Sequence, residues 1–444
     1  MTLHCVQAPS LLAQVPDIAF AHVTVIDVAE GRLLLDRTVT IRGDRILAVT
    51  ASATAKVPAG TRMIDATGKF MIPGLWDMHA HVFAFTRADL KQFVLNGVTG
   101  MRDLGGQSDS VFAIAREIST GQLVGPRIVA AGFMIDRGGE RNPPHLAPVH
   151  TAAEGRAAVR ANAAAGARVI KVWSMIPRDA FLGVADEARR AGLPLVGHLP
   201  TSMELASAVE AGQRGFEHTM TLPIALSRDG PAILQRLRAR VAGAGQGGIF
   251  AALIAADVEA IASFDEAIAV KAFELLARDS VWVCPTLTDS RAYTIMKDSL
   301  ATDPRFQHFS PALRDAWLAD VNGMSETDIA GLKQLFPNSL MLAGRLHRAG
   351  VGLLAGTDAG STYDFPGFDL HNELALMVRA GLTPLEALRT ATINPARAMK
   401  MEKEVGQVAA GMHADLVLLN ANPLEDIRNT TRIAKVVAAG KVIE

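Results

Sequence analysis

Eight short apolar runs, most of them separated by Ala-rich stretches, constrain the fold of this chain more than any other feature. They fall at 72–76, 100–104, 127–131, 169–173, 195–198, 215–218, 281–284 and 351–355. Between them lie stretches of helical composition, such as Ala152–Ala165 and Ser202–Ala211. Strand, loop and helix repeated eight times predict an α/β fold, a (β/α)8 TIM barrel of about 250 residues before insertions. A doubly wound open sheet would announce itself with a Gly-rich nucleotide loop, and no GxGxxG follows a strand here.

The chain has 444 residues, more than one barrel needs. Both ends read as short strands broken by turn signals. Phe20–Asp27, Thr38–Ile41 and Arg45–Val49 precede the barrel; Ala414–Leu419, Ile433–Ala438 and Lys441–Ile443 follow it. Each end alone is too small to bury a core, so the two are expected to pair into one small β-sandwich. The domain reading is therefore 1–70 and 401–444 for the sandwich and 71–400 for the barrel. The interval between the sixth and seventh runs is about twice the ~30 residues a βα unit needs. An insertion is therefore expected around 222–280, standing over the barrel mouth, with a flexible turn at Gly243–Gly248.

Composition narrows the function classes. Formal net charge is -1, from 44 basic and 45 acidic residues with no basic block, which argues against nucleic acid as a partner. No apolar run reaches the ~18 residues of a membrane span. Cys5 and Cys284 are too few and too far apart for a disulfide framework or a Cys-based zinc motif. Any metal must therefore use His, Asp, Glu or Lys. The start, Met1–Gln14, is mildly apolar but lacks a positive region and is not read as a signal peptide. A cytoplasmic protein is expected, with a secreted or periplasmic one the alternative if a leader was trimmed.

In a parallel barrel the strand C-termini carry the site. The first run climbs through Ile72-Pro-Gly-Leu-Trp-Asp-Met to His79-Ala-His81, and strand alternation puts both imidazoles on one face. The fourth run carries Lys171, the fifth ends in His198, the sixth in His218, and the eighth in Gly-Thr-Asp358. One histidine at a strand end is more often a satisfied core residue, and Gly-Thr-Asp is more often a turn. Six such groups at the same end of one barrel point to metal. A lysine buried there loses its charge readily. The neutral amine can then react with CO2 to give a carbamate that bridges two cations. On this reading His79, His81 and Asp358 hold one ion, His198 and His218 the other, and carboxylated Lys171 joins them. Zn2+ suits imidazole and carboxylate, while Mn2+, Co2+ and Fe2+ use the same ligand types.

This set of motifs resembles the amidohydrolase superfamily, in its binuclear, carboxylated-lysine branch. The likeness runs from Ile64-Asp-Ala-Thr-Gly through Gly381-Leu-Thr-Pro and Ala391-Thr-Ile-Asn-Pro to Gly411-Met-His-Ala-Asp. Within the superfamily the chain is similar to the imidazolonepropionase-like group that includes prolidase-like dipeptidases and ochratoxin amidohydrolases. The resemblance implies a metal-dependent hydrolase that cleaves an amide, such as an N-acyl amino acid or dipeptide. A metal-bridging hydroxide would attack, and Asp358 would carry the proton. An esterase or lactonase on the same centre is the alternative, and a mononuclear deaminase a further one that would not need Lys171. A non-catalytic scaffold is disfavoured by the intact set. Where that group carries a Gly-Gly-His-Gly-like loop, this chain has Ala131-Gly-Phe-Met-Ile-Asp-Arg-Gly-Gly139. Arg137, Arg141 and His145 are the candidates to stand in, with Arg291 and Tyr293 after the seventh strand. The expected partner is a small-molecule substrate, with the chain as a homo-oligomer. His371 is read as capping or packing.

Overall fold

The computed structural model describes residues 16–106, 108–138, 143–242, 244, 246–299 and 302–443. Each of the eight apolar runs contributes a parallel strand. These are β1 (Leu75–Ala80), β2 (Val98–Asp103), β3 (Arg127–Ala130), β4 (Ile170–Val172), β5 (Leu195–Gly197), β6 (Gln213–Glu217), β7 (Trp282–Cys284) and β8 (Gly352–Leu353). They form two parallel arcs, one of β1-β2-β3 and one running β4 to β8 in order. Short strands Met134–Asp136 and Leu146–Pro148 extend the second arc beyond β4. Backbone hydrogen bonds join the arcs on both sides: Arg168 N to Ala130 O at 3.0 Å, and Met78 N to Ala355 O at 2.9 Å. Most strand residues are buried and apolar, as parallel strands covered by helices require, and the exceptions, such as Arg102, Lys171 and Glu217, are buried charges.

The first run differs from its expectation. Phe70–Pro73 is a strand of the end sheet, and β1 begins only after Gly74. That short strand is the seam of the molecule. It pairs in parallel with Ile18–Asp27 and antiparallel with Leu416–Leu419, so chain start and chain end meet on it. The result is one eight-stranded sheet, running from Lys441–Ile443 to Arg45–Ala51. Phe20, Val25, Ile41, Met71, Leu416 and Val437, from both ends of the sequence, share one buried cluster.

Helices fill the long interval after β6: Leu222–Ala225, Gly230–Val241, Gln246–Ala262 and Glu266–Arg278. The expected glycine-rich turn falls between the second and third of these helices, but its end from Gln246 to Gly248 is helical; residues 243 and 245 lie outside the described residues. A second inserted block separates β7 from β8, with helices Leu287–Ser299, Pro311–Gly323 and Glu326–Arg348. Side-chain caps fix several starts: Asp265 accepts from Ala267 N and Ile268 N, and Ser325 accepts from Asp328 N. Helices 246–262 and 326–348 pack on one another over the C-terminal ends of the strands. No helix among the described residues is long and apolar enough to cross a membrane.

Candidate metal centre

The end of β8 is drawn against β1 because Gly356 has no side chain. A Cβ there would stand 2.5 Å from Cys284 Sγ and 2.7 Å from His79 N. Asp77 fastens the same junction: its Oδ1 accepts from Thr357 N at 3.0 Å and its Oδ2 from Thr357 Oγ1 at 2.6 Å. Gly197 allows β5 the same closeness to β4, with φ +136 and the place of a Cβ 2.0 Å from Val172 O. Asp358 and His218 then leave their strands with positive φ, each +62. Such backbone is uncommon outside glycine and gathers at functional sites.

These junctions bring the six strand-end groups around one cavity of about 300 Å3. Ring centroids lie 5.3 Å apart for His79 and His81, 4.7 Å for His79 and His218, and 5.0 Å for His198 and His218. Asp358 Oδ1 is 3.2 Å from His79 Nε2 and 3.0 Å from His81 Nε2, and its Oδ2 is 3.9 Å from His218 Nε2. His79, His218 and Asp358 offer ligand atoms all within 4.8 Å of one another.

The outer nitrogens are held from behind. His81 Nδ1 is 3.3 Å from Gly105 O, His198 Nδ1 2.6 Å from Ser174 Oγ, and His218 Nδ1 2.6 Å from Thr286 Oγ1. His79 Nδ1 faces Glu217 Oε2 at 3.1 Å. This is the arrangement of metal-bound imidazoles, one nitrogen oriented by the protein and the other presented inward. Neither nitrogen of His79 completes a hydrogen bond, and Asp358 Oδ1 and Glu217 Oε2 also lack one. Buried polar atoms left this way ask for a partner. The set therefore fits divalent cations: four imidazoles, a carboxylate and Lys171.

Electrostatics point the same way. Burial first, then Lys171, holds His79 and His198 well below the usual imidazole range, and burial takes His218 to about 4, so all three are neutral ligands near neutral pH. Burial pushes Asp358 up, but the nearby imidazoles of His79, His81 and His218 outweigh it and keep the carboxylate ionised. Lys171 is 1% exposed and forms no ion pair among the described residues. Burial lowers it from 10.5 to about 8, against the opposing pull of Glu217 and Asp358. A neutral amine is thus accessible near physiological pH.

The expected substrate contacts divide. His145 and Tyr293 line the cavity, His145 stacked on Phe83 with centroids 4.3 Å apart. Arg137 donates to Val241 O at 3.3 Å and, like Arg291, does not line the cavity. Arg141 lies outside the described residues. His371 ties Thr430 Oγ1 at 2.9 Å to Asn96 O at 3.0 Å, a packing role. Sequence reasoning missed Arg102 and Glu217. They form a buried pair at 2.7 Å behind His79, and Arg102 Nε also donates to Met78 O. The signal was present: each is a charged residue inside a buried strand, the same mark that singled out Lys171. Asp77, Asp257 and Asp289 were likewise unassigned.

A family model described as "Amidohydrolase family" matches residues 70–443. The ochratoxinase of Aspergillus niger is 24% identical over 449 residues, covering 87% of this chain and 78% of that one. A prolidase-like protein from Bifidobacterium longum superposes with TM-score 0.73 at 26% identity, over 96% of this chain and 94% of that one. Bottromycin amidohydrolase superposes with TM-score 0.75 at 25% identity, over 96% and 86%.

Proposed function

The chain belongs to the amidohydrolase family, and on that premise we propose that it is a metal-dependent hydrolase cleaving an amide bond in a small-molecule substrate. The fold proposed is a (β/α)8 barrel over 71–400, with residues 1–70 and 401–444 as a β-sandwich. The observation that carries the reading is the meeting of His79, His81, Lys171, His198, His218 and Asp358 around one cavity.

His79, His81 and Asp358 would hold one divalent cation and His198 and His218 a second, with Nζ-carboxylated Lys171 between them; Zn2+ is the ion proposed. Bound there, the cations supply a Lewis acid for the scissile carbonyl and bring the pKa of a water toward neutrality. The chain's own residues do the rest. Asp358, ionised and at the rim of the imidazole cluster, takes the proton of the attacking water and passes it to the leaving nitrogen. Ser361 Oγ donates to Asp358 Oδ2 at 2.9 Å and fixes which oxygen faces the water. Glu217 stands behind His79, and Arg102 pairs with Glu217 from the other side. The apolar walls exclude bulk water and strengthen every charge inside.

A panel of N-acyl amino acids, dipeptides and other amides with matched esters and lactones, run on metal-loaded protein supplied with bicarbonate, tests this. Amide cleavage abolished by chelation is expected. Turnover of esters alone would give the esterase reading, and inactivity across the panel would remove the hydrolytic one.

A further inference from the structure

The far wall of the cavity is built by the two insertions and is unlike the floor. Phe250 and Ile254 come from helix 246–262, Leu332 and Leu335 from helix 326–348. Set into this apolar surface are two carboxyls. Asp257 is 1% exposed; its Oδ2 accepts from Thr221 N at 2.9 Å, and its Oδ1 has no hydrogen-bond partner. Asp289, in the first turn of helix 287–299, shares a hydrogen bond with Tyr293, and its solvent-shielded Oδ1 has no partner. Both line the same cavity as the imidazoles. Among the described lining residues there is no arginine, and Lys171 is the one lysine.

Resting on the amidase reading of this site, we propose that the substrate carries an apolar arm ending in an amine, received by Asp257 and Asp289, and no carboxylate on that arm. Buried acceptors without donors are rare in folded proteins, so each marks a place where a donor belongs. An ammonium pairs with a carboxylate through charge-assisted hydrogen bonds. A substrate carboxylate on the wall would meet two carboxyls and no cation among the described lining residues of the wall. Burial pushes both carboxyls upward, Asp257 to about 8, which a bound ammonium would reverse.

Three p-nitroanilides with arms of one length test the idea on metal-loaded protein: 6-aminohexanoyl, heptanoyl and the mono-anilide of adipic acid. The amine-armed anilide is expected to exceed the methyl-armed one at least tenfold in kcat/KM and the carboxylate-armed one at least a hundredfold. Asp289→Asn should bring the amine-to-methyl ratio near one, and Asp257→Asn should lower it. Calorimetry with hexylamine and hexan-1-ol reads the wall without turnover: the amine is expected to bind at least tenfold tighter, and Asp289→Asn to erase the difference. Equal binding of amine and alcohol, an amine preference that survives Asp289→Asn, or a carboxylate-armed substrate that matches the amine would overturn the proposal. If no anilide is cleaved while hexylamine still binds tighter through Asp289, the hydrolytic reading fails and the amine site stands.

Discussion

The floor and the far wall of one cavity are made by different means. On the floor, each group sits at the end of a parallel strand, and its position follows from alternation and from the shared direction of the strands. The wall comes from helices 246–262, 287–299 and 326–348, whose positions depend on packing across long sequence separations. The floor is polar, ionisable and oriented from behind; the wall is apolar with two carboxyls, each with one oxygen that lacks a hydrogen-bond partner. On the proposed reading the strand ends supply the chemistry, and the helices above them supply the substrate contacts.

That contrast predicts different kinetic signatures. The largest effect belongs to the floor: Asp358→Asn should lower kcat at least about 10^3-fold, within the range of a lost general acid–base group, with the fold kept by circular dichroism. Residual activity within tenfold of the parent would remove Asp358 from the mechanism. Next, Glu217→Gln should weaken metal binding roughly 10- to 100-fold, as the loss of a partner behind a ligating imidazole does, measured by competition with a chelator. It also strips Arg102 of its buried partner, costing about 3–5 kcal/mol of stability. The wall should behave otherwise. Leu335→Ala is expected to raise KM about tenfold, the ~1.5 kcal/mol of a lost apolar contact, with kcat nearly unchanged. Were kcat to fall as far as for a floor variant, the division between the regions would not hold.

The smallest effect is on assembly. A base that titrates lower folded than unfolded is favoured in its neutral form by the native state. Lys171 falls from 10.5 to about 8, so the metal-free, uncarboxylated protein should gain stability as pH rises from about 8 to 10.5. The amine available to CO2 should fall roughly fivefold between pH 8 and pH 7. Reconstitution of activity by metal and bicarbonate should slow in proportion. A rate flat across that interval would show that Lys171 is not the group that reacts.

Much of this was legible in the residues. The eight apolar runs each became a strand, and the six strand-end groups came together because strand direction is a global constraint that local pattern reveals. The insertion after β6 was visible as excess length. The block between β7 and β8 carries the same mark, since the interval from Cys284 to Val351 is as long as the one after β6, but excess length alone does not say that it holds helices 311–323 and 326–348. Arg137 shows why contacts are harder to read than strands: proximity to β3 in sequence says nothing of where a long side chain turns, and it turns to Val241 O. Arg102 and Glu217 could have been found, since a buried charge in an apolar strand always needs a partner.

The central claim is that four imidazoles, Asp358 and carboxylated Lys171 form one dinuclear centre. Elemental analysis of protein purified with bicarbonate and dialysed against metal-free buffer tests it most directly. The account predicts two divalent ions per chain, falling to one or fewer in Lys171→Ala. A single ion in the parent protein, undiminished by that substitution, would contradict it.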